Sequence, residues 1–176
     1  GENFIKDNPC ALVLGDNIFY GQGMSDTLME ISKENSNAYI FAYQGDDPNS
    51  FGVIEFDENE QIKSIEEKPS FPKSNFVVTG LYFYDQDVSE RCKSLMPSNR
   101  GELEITDLNL NYLSDQMLKV HKFGRGYAWL DTGTHDSLLE ASQFIRTIEK
   151  RQGLKISCLE EIAWRKEWIT DENLEN

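Results

Sequence analysis

The stretch that decides the fold is Trp129-Leu130-Asp131-Thr132-Gly133-Thr134-His135-Asp136-Ser137-Leu138-Leu139-Glu140-Ala141. Its apolar start ends in an acid, turns through Thr132-Gly133 and enters a helical pattern. Leu138, Ala141, Ile145 and Ile148 recur at helix spacing on one face, and Gly153 after Lys150-Arg151 is a C-terminal stop. An aspartate leaving a strand there sits at the edge of a crevice, where open α/β sheets bind ligands. Ala11-Leu12-Val13-Leu14-Gly15-Asp16 repeats the device as a buried-type strand that also ends in an acid. Asp16 and Asp131 together are a candidate Mg²⁺ pair, since two carboxylates plus substrate phosphates are a common way to hold that ion.

The chain has 176 residues, enough for a single domain, 1–176, with a substantial core. Hydrophobic residues make up 39% and aromatics 11%, which argues for a folded chain. The formal net charge of −14 disfavours nucleic acid or an anionic membrane as partner, because both need basic patches. A phosphorylated small substrate would need its cations gathered locally against that field. Cys10, Cys92 and Cys158 are scattered, odd in number and without a CxxC, so they read as reduced thiols of a cytoplasmic protein. No apolar run is long enough to span a bilayer, and there is no signal-peptide pattern. A start at Gly1, without methionine and close to a strand, points to a chain that begins inside a longer protein.

Strands are expected at 11–15, 38–43, 52–57, 61–67, 76–84, 118–123 and 127–130. Helices are expected after Ser25 as N-cap, near 87–95, over 104–113, after Gly133 and around Ile162, Trp164 and Trp168, with a frayed acidic tail from Thr170. Ile18-Phe19-Tyr20-Gly21 reads as a lead into the first of these helices. The fold class is α/β, a Rossmann-like mixed sheet flanked by helices. The Gly-rich phosphate loop that usually opens such a sheet is absent, for neither GxGxxG nor GxxxxGK[ST] occurs.

With 31 acids present, an aspartate after a strand is first of all a turn residue or a helix cap, so the metal reading rests on the pair. Lys68 in Glu66-Glu67-Lys68-Pro69 is either part of a solvated charge cluster or a phosphate cation beside a hydroxyl-binding Glu67. A regular strand points Glu67 and Lys68 to opposite faces, so both serve one ligand only if Pro69 breaks the pleat. Arg100 is either an exposed loop residue or a second phosphate cation. Gly52 and Gly80 inside strands mark a bulge or the close backbone approach of a ligand, or equally a plain strand irregularity. Trp129 reads as core on composition alone. His121 and His135 show no metal spacing, and no Ser, Cys or His pattern suggests a nucleophile triad.

In order along the chain, LVLGDNIFYG (12–21), FGVIEFD (51–57), EEKP (66–69), VTGLYFYD (78–85), RGELEITDLN (100–109) and GRGYAWLDTGTHDSLLEASQFI (124–145) resemble the glucose-1-phosphate thymidylyltransferases. These belong to the nucleotidyltransferase (nucleoside-diphosphate-sugar pyrophosphorylase) superfamily. The resemblance runs from Ala11 to Trp168 and implies the fold of the nucleotide-diphospho-sugar transferases. It implies that Asp16 and Asp131 bind Mg²⁺ and that Lys68, with Glu67, holds the sugar phosphate. Gly52, Val78, Arg100 and Trp129 match further glucose 1-phosphate contacts, with Asp16, Lys68 and Asp131 as the catalytic set. Tyr20, Gly21, Gly124 and Arg125 fall near a second, regulatory nucleotide site.

The reaction so implied joins dTTP to α-D-glucose 1-phosphate, giving dTDP-glucose, a precursor of dTDP-rhamnose, and pyrophosphate. The family's members are homo-oligomers, tetramers among them, and the same assembly is implied here. The family's GGxGTRLxPxTxxxxK nucleotide loop has no counterpart in these residues, so the chain reads as the sugar-phosphate and metal half, inactive alone. Two other readings remain: a pyrophosphorylase for another sugar or nucleotide, and a non-catalytic sugar-phosphate-binding module. The branch-specific blocks RGELEITD and 124–145 count against the first, and the reading frame upstream of Gly1 separates the second from a fragment of the enzyme.

Overall fold

The computed structural model describes residues 1–34, 36–98 and 101–175. Two compact units emerge, Gly1–Leu130 and Asp131–Asn176, and each is described by itself.

The first unit is built on a mixed six-stranded sheet. Its strands are β1 (Cys10–Val13), β3 (Ala38–Gln44), β4 (Gly52–Phe56), β5 (Ile62–Glu67), β6 (Phe76–Tyr84) and β7 (Leu118–Lys122), after a short helix α1 (Glu2–Ile5). The order is β5-β4-β6-β3-β7, with β1 also paired to β6. β6 takes β3 along one edge and divides the other, with β1 opposite Leu81–Tyr84 and β4 opposite Val77. β3 and β7 are parallel, whereas the β4–β5 hairpin and the pairings of β6 with β1, β3 and β4 are antiparallel. β2 (Asn17–Gly21) and β8 (Tyr127–Asp131) form a separate two-stranded ribbon.

Alternation along β3 explains why the sheet is buried on both faces. Ala38, Ile40 and Ala42 join Ile54, Val78, Tyr82, Tyr84 and the helix α4 (Ile105–Ser114) in one core. Tyr39 and Phe41 face the other way and pack with Leu81, Phe123 and the helix α2 (Met24–Ile31). Polar atoms pin the first core: the Tyr84 hydroxyl donates to Asn109 Oδ1 at 2.8 Å and the Tyr112 hydroxyl to Asp85 Oδ1 at 2.6 Å. The short helix α3 (Val88–Lys93) follows β6 through Asp85.

In the second unit α5 (His135–Gln152) starts on a capping box between Thr134 and Ser137 and ends at Gly153 in the left-handed region. Ala141 is buried, but Leu138 is exposed. After it come α6 (Leu159–Arg165) and α7 (Asp171–Glu175).

The hairpin, β6, α4 and α5 lie where the sequence places them. Three segments differ. Ile18-Phe19-Tyr20-Gly21 is strand, because it finds a partner in β8. α2 is capped by Gly23 in the left-handed region, two residues ahead of Ser25. The tail is helical because Thr170 and Asn173 bond each other's amides reciprocally and Trp164 Nε1 donates to Asp171 Oδ1 at 2.6 Å. No helix among the described residues is long and apolar enough to cross a membrane.

Candidate functional site

Asp16 occupies the turn between β1 and β2. Leu14 N donates to the Gly80 carbonyl at 2.9 Å, so the turn leaves the sheet beside the middle of β6. Asn17 fixes it there. Its Nδ2 donates to Asp16 Oδ1 at 2.9 Å, while its Oδ1 accepts from Gly80 N at 3.0 Å and from Trp129 Nε1 at 2.6 Å. One amide thus ties the acid, the central strand and the indole together.

This explains Gly80. A Cβ there would lie 2.5 Å from Asn17 Oδ1, closer than packed atoms come. The β3–β6 register also shifts here, with Ile40 opposite Tyr82 and Ala42 opposite Val78. The irregularity expected of a strand glycine is therefore present at Gly80, and the group that crowds it is the Asn17 side chain.

From Trp129 the cluster continues to the β4–β5 hairpin. The Phe51 ring meets the Trp129 indole edge-on, with centroids 5.0 Å apart. Gly52 pairs with Glu67 across the hairpin, and a Cβ on Gly52 would lie 3.3 Å from Glu67 Oε2, 3.4 Å from Thr106 Oγ1 and 3.6 Å from Val78 Cγ2. Gly52, Glu67, Thr106 and Val78 therefore converge on one point. Thr106 Oγ1 donates to Glu67 Oε2 at 2.6 Å from the first turn of α4, where the helix dipole favours a negative charge. Tyr82 shares the β6 face of Val78; burial first, and the Glu67 charge second, push its phenol well above the usual range.

Lys68 follows the last residue of β5 with φ +45°, and its amide donates to the Phe51 carbonyl at 3.0 Å. The strand alternation that would oppose Glu67 and Lys68 is thus broken at Lys68, as the shared-ligand reading requires. Asn49 Nδ2 holds the next carbonyl, that of Pro69, at 2.9 Å. Among the described residues the exposed Lys68 ammonium makes no hydrogen bond or ion pair. Arg100 lies outside the described residues.

Asp131, the last residue of β8, belongs to the second unit, where its Oδ1 accepts from Gly133 N at 3.0 Å. Of the residues matched to a regulatory site, Tyr20 and Gly21 lie on β2, and Gly124 and Arg125 in the turn between β7 and β8. Gly21 sits under the Tyr127 ring, where a Cβ would come within 2.2 Å of Cδ1. That contact requires glycine at position 21 whatever else the residue does.

Sequence reasoning missed Asn17, Thr106 and Tyr82. Asn17 stood in the quoted LGDN block and Thr106 in RGELEITD, but neither residue type carries a spacing that announces chemistry. Only the fold shows what they touch.

A family model described as "Nucleotidyl transferase" matches residues 1–148. The chain is 57% identical over 175 residues to a glucose-1-phosphate thymidylyltransferase from Neisseria meningitidis, covering 99% of this chain and 61% of that one. It is 53% identical over 174 residues to the protein of that name from Mycobacterium tuberculosis, covering 99% and 60%. The chain thus spans about three-fifths of the length of the relatives it matches. A crystal structure of a putative glucose-1-phosphate thymidylyltransferase from Bacillus anthracis in complex with a sucrose superposes with TM-score 0.72 at 39% identity, covering 81% of this chain and 56% of that one. A UDP-glucose pyrophosphorylase complexed with UDP-glucose superposes with TM-score 0.72 at 22% identity, over 84% and 59%, and shows the shared fold.

Proposed function

The chain belongs to the nucleotidyl transferase family, and from that premise we propose that it carries the sugar-phosphate half of a glucose-1-phosphate thymidylyltransferase. The observation that carries this reading is the convergence of Gly52, Glu67, Thr106 and Val78 on one point beside Lys68. A pyranose needs a carboxylate and a hydroxyl as hydrogen-bond partners and an apolar wall. Its phosphate needs a cation that no protein carboxylate has claimed.

In this reading Glu67 and Thr106 take the sugar hydroxyls, while Val78 and Trp129 wall the ring. Lys68 holds the phosphate as a point charge and Arg100 joins it as a bidentate partner. A phosphate oxygen of glucose 1-phosphate then forms a bond to the α-phosphorus of dTTP, and the bond to pyrophosphate breaks in line. No side chain need act as nucleophile. The protein's contribution is position and charge, which suffices for phosphoryl chemistry of this kind.

Asp16 and Asp131 are the acids that would hold Mg²⁺. Carboxylate oxygen is a donor that a hard cation takes, and each of the two carboxylates is oriented within its own unit by an N–H donor, Asn17 Nδ2 for Asp16 and Gly133 N for Asp131. When bound, the ion would neutralise phosphate charge. A cytoplasmic setting, supported by three free thiols, homo-oligomeric assembly, a supply of dTDP-glucose toward dTDP-rhamnose, and a regulatory nucleotide at Tyr20, Gly21, Gly124 and Arg125 belong to the same proposal.

The test is a paired one on the purified chain. Calorimetry with glucose 1-phosphate should give weak, saturable binding that Lys68→Ala reduces at least tenfold. A pyrophosphate-release assay with dTTP, glucose 1-phosphate and Mg²⁺ should give no turnover, since the family's nucleotide loop is not among these residues. Absent binding, or turnover by these residues alone, would overturn the assignment.

A further inference from the structure

Besides Thr106, α4 carries two polar side chains on its buried face. Asn109 and Tyr112 follow Thr106 at successive steps of three, so the three lie along one side of the helix. Asn109 is wholly buried, and its neighbours Tyr84, Leu108 and Tyr112 are aromatic or aliphatic members of the core. The Tyr84 hydroxyl donates to Asn109 Oδ1 at 2.8 Å, but among the described residues the buried Nδ2 has no protein partner. An apolar side chain of similar size would fill this place without desolvating a donor, so stability alone does not call for the amide. What the amide adds is direction. Apolar contacts tolerate a helix that slides or turns slightly, and a hydrogen bond does not.

The donor is itself firmly placed. The Tyr84 ring stacks on Tyr82 and on Tyr112, with centroids 6.0 and 5.6 Å away. The far half of α4 is held by the Tyr112 hydroxyl on Asp85 and by Arg91 Nη1, which donates to Asn111 Oδ1 at 2.6 Å and to Asp115 Oδ2 at 2.7 Å. At the near end Glu104 gives no side-chain cap, its Oε1 taking Ser98 Oγ at 2.9 Å. The backbone bond there, from Leu108 N to the Glu104 carbonyl, is long at 3.4 Å. Beyond Thr106, Asn109 is the first α4 residue among those described whose side chain bonds across to the sheet. It stands one turn away, about 4.5 Å along the axis at ~1.5 Å per residue.

We propose that Asn109 is a positioning residue: through Tyr84 it fixes the rotation and axial register of the first turns of α4 on β6, and so holds Thr106 Oγ1 at 2.6 Å from Glu67 Oε2. That bond orients the carboxylate offered to the sugar, and misplacing it by a fraction of its length loses the alignment that binding needs. Asn109 touches no substrate itself. The inference rests on the sugar-phosphate reading of Glu67 and Thr106.

The test pairs stability with binding on the purified chain. Tyr84→Phe or Asn109→Leu alone leaves a buried polar group without its partner, so each should lower Tm. Together they replace the bond by an apolar pair, and the double variant should recover Tm above either single variant. Its affinity for glucose 1-phosphate should nevertheless stay about tenfold down, as for one lost hydrogen bond. Inorganic phosphate, followed at the Lys68 amide, should bind as in the wild type, because that amide hangs on the Phe51 carbonyl and not on α4. In the ligand-free double variant the NOE between the Thr106 methyl and the Glu67 γ-methylene should weaken. A role in stability alone would return the affinity together with Tm, and that result would overturn the inference, as would an unchanged NOE. If the double variant does not fold, Tyr84→Phe, which removes one oxygen, is read in the same way, and unchanged sugar-phosphate affinity there would overturn it too. A wild-type chain that binds no glucose 1-phosphate would instead overturn the site reading, and the inference with it.

Discussion

Trp129 Nε1 donates to Asn17 Oδ1 at 2.6 Å, and the same oxygen accepts from Gly80 N at 3.0 Å. One carboxamide therefore fixes the indole at the proposed sugar wall and the turn that carries Asp16. Asn17→Ala leaves a half-buried indole N–H and a strand amide without their acceptor. The expected cost is about 1–3 kcal/mol, read in urea unfolding, with a shift in Trp129 emission. Asn17→Asp keeps the acceptor oxygen and should retain most of the stability. Equal loss in both variants would show that the bond to Trp129 is not what matters.

Gly80→Ala should destabilise by about 1–3 kcal/mol, because the new methyl would lie 2.5 Å from Asn17 Oδ1. Adding Asn17→Ala removes the obstructing amide, so the double variant should be more stable than the sum of the single losses predicts. Strict additivity in the unfolding free energies would contradict the packing described for this pair.

Glu55 offers a test of electrostatics away from the site. Hydrogen bonds from Lys63, then Lys73, then Ser64 hold its carboxyl down at about 2, against an ordinary 4.5. A folded-state pKa below the unfolded one means the contribution is complete above about 4.5 and is lost as pH falls from there toward 2. Carboxyl-carbon NMR titration should find the low midpoint, and Lys63→Met and Lys73→Met should each raise it. A midpoint near the ordinary value in the wild type would contradict the network.

Glu60 and Gln116 adopt φ +61° and +60°, a region that a side chain disfavours. Gln116 follows α4, whose last carbonyls it and Met117 help to cap by bonds to Leu113 and Tyr112. Gln116→Gly and Glu60→Gly should each raise stability by up to ~1 kcal/mol in thermal unfolding. A fall in Tm for both would show that the side chains contribute more than the backbone strain costs.

The β4–β5 hairpin and β6 were legible because strand alternation and the Pro69 and Pro72 breaks are local signals. α5 was legible for the same reason: its cap, its apolar stripe and its stop all lie within the helix. β2 was not, since Asn17–Gly21 is strand only by pairing with β8, more than a hundred residues on. The site was half legible. Glu67 and Lys68 stand out as charge beside a proline, and strand alternation is broken at Lys68. Asn17 and Thr106 act through contacts between distant segments, and a neutral amide or hydroxyl carries no pattern that forecasts them.

The central claim is that Gly52, Glu67, Lys68, Val78, Thr106 and Trp129 form a glucose 1-phosphate site. Its most direct test is a ¹⁵N NMR titration of the chain with that sugar phosphate, following the Gly52, Lys68 and Val78 amides and the Trp129 indole. Saturable shifts at these four positions, absent with inorganic phosphate at the indole and weakened at least tenfold in affinity by Lys68→Ala, are the predicted result. Shifts confined to other residues, or the same affinity after Lys68→Ala, would contradict the account.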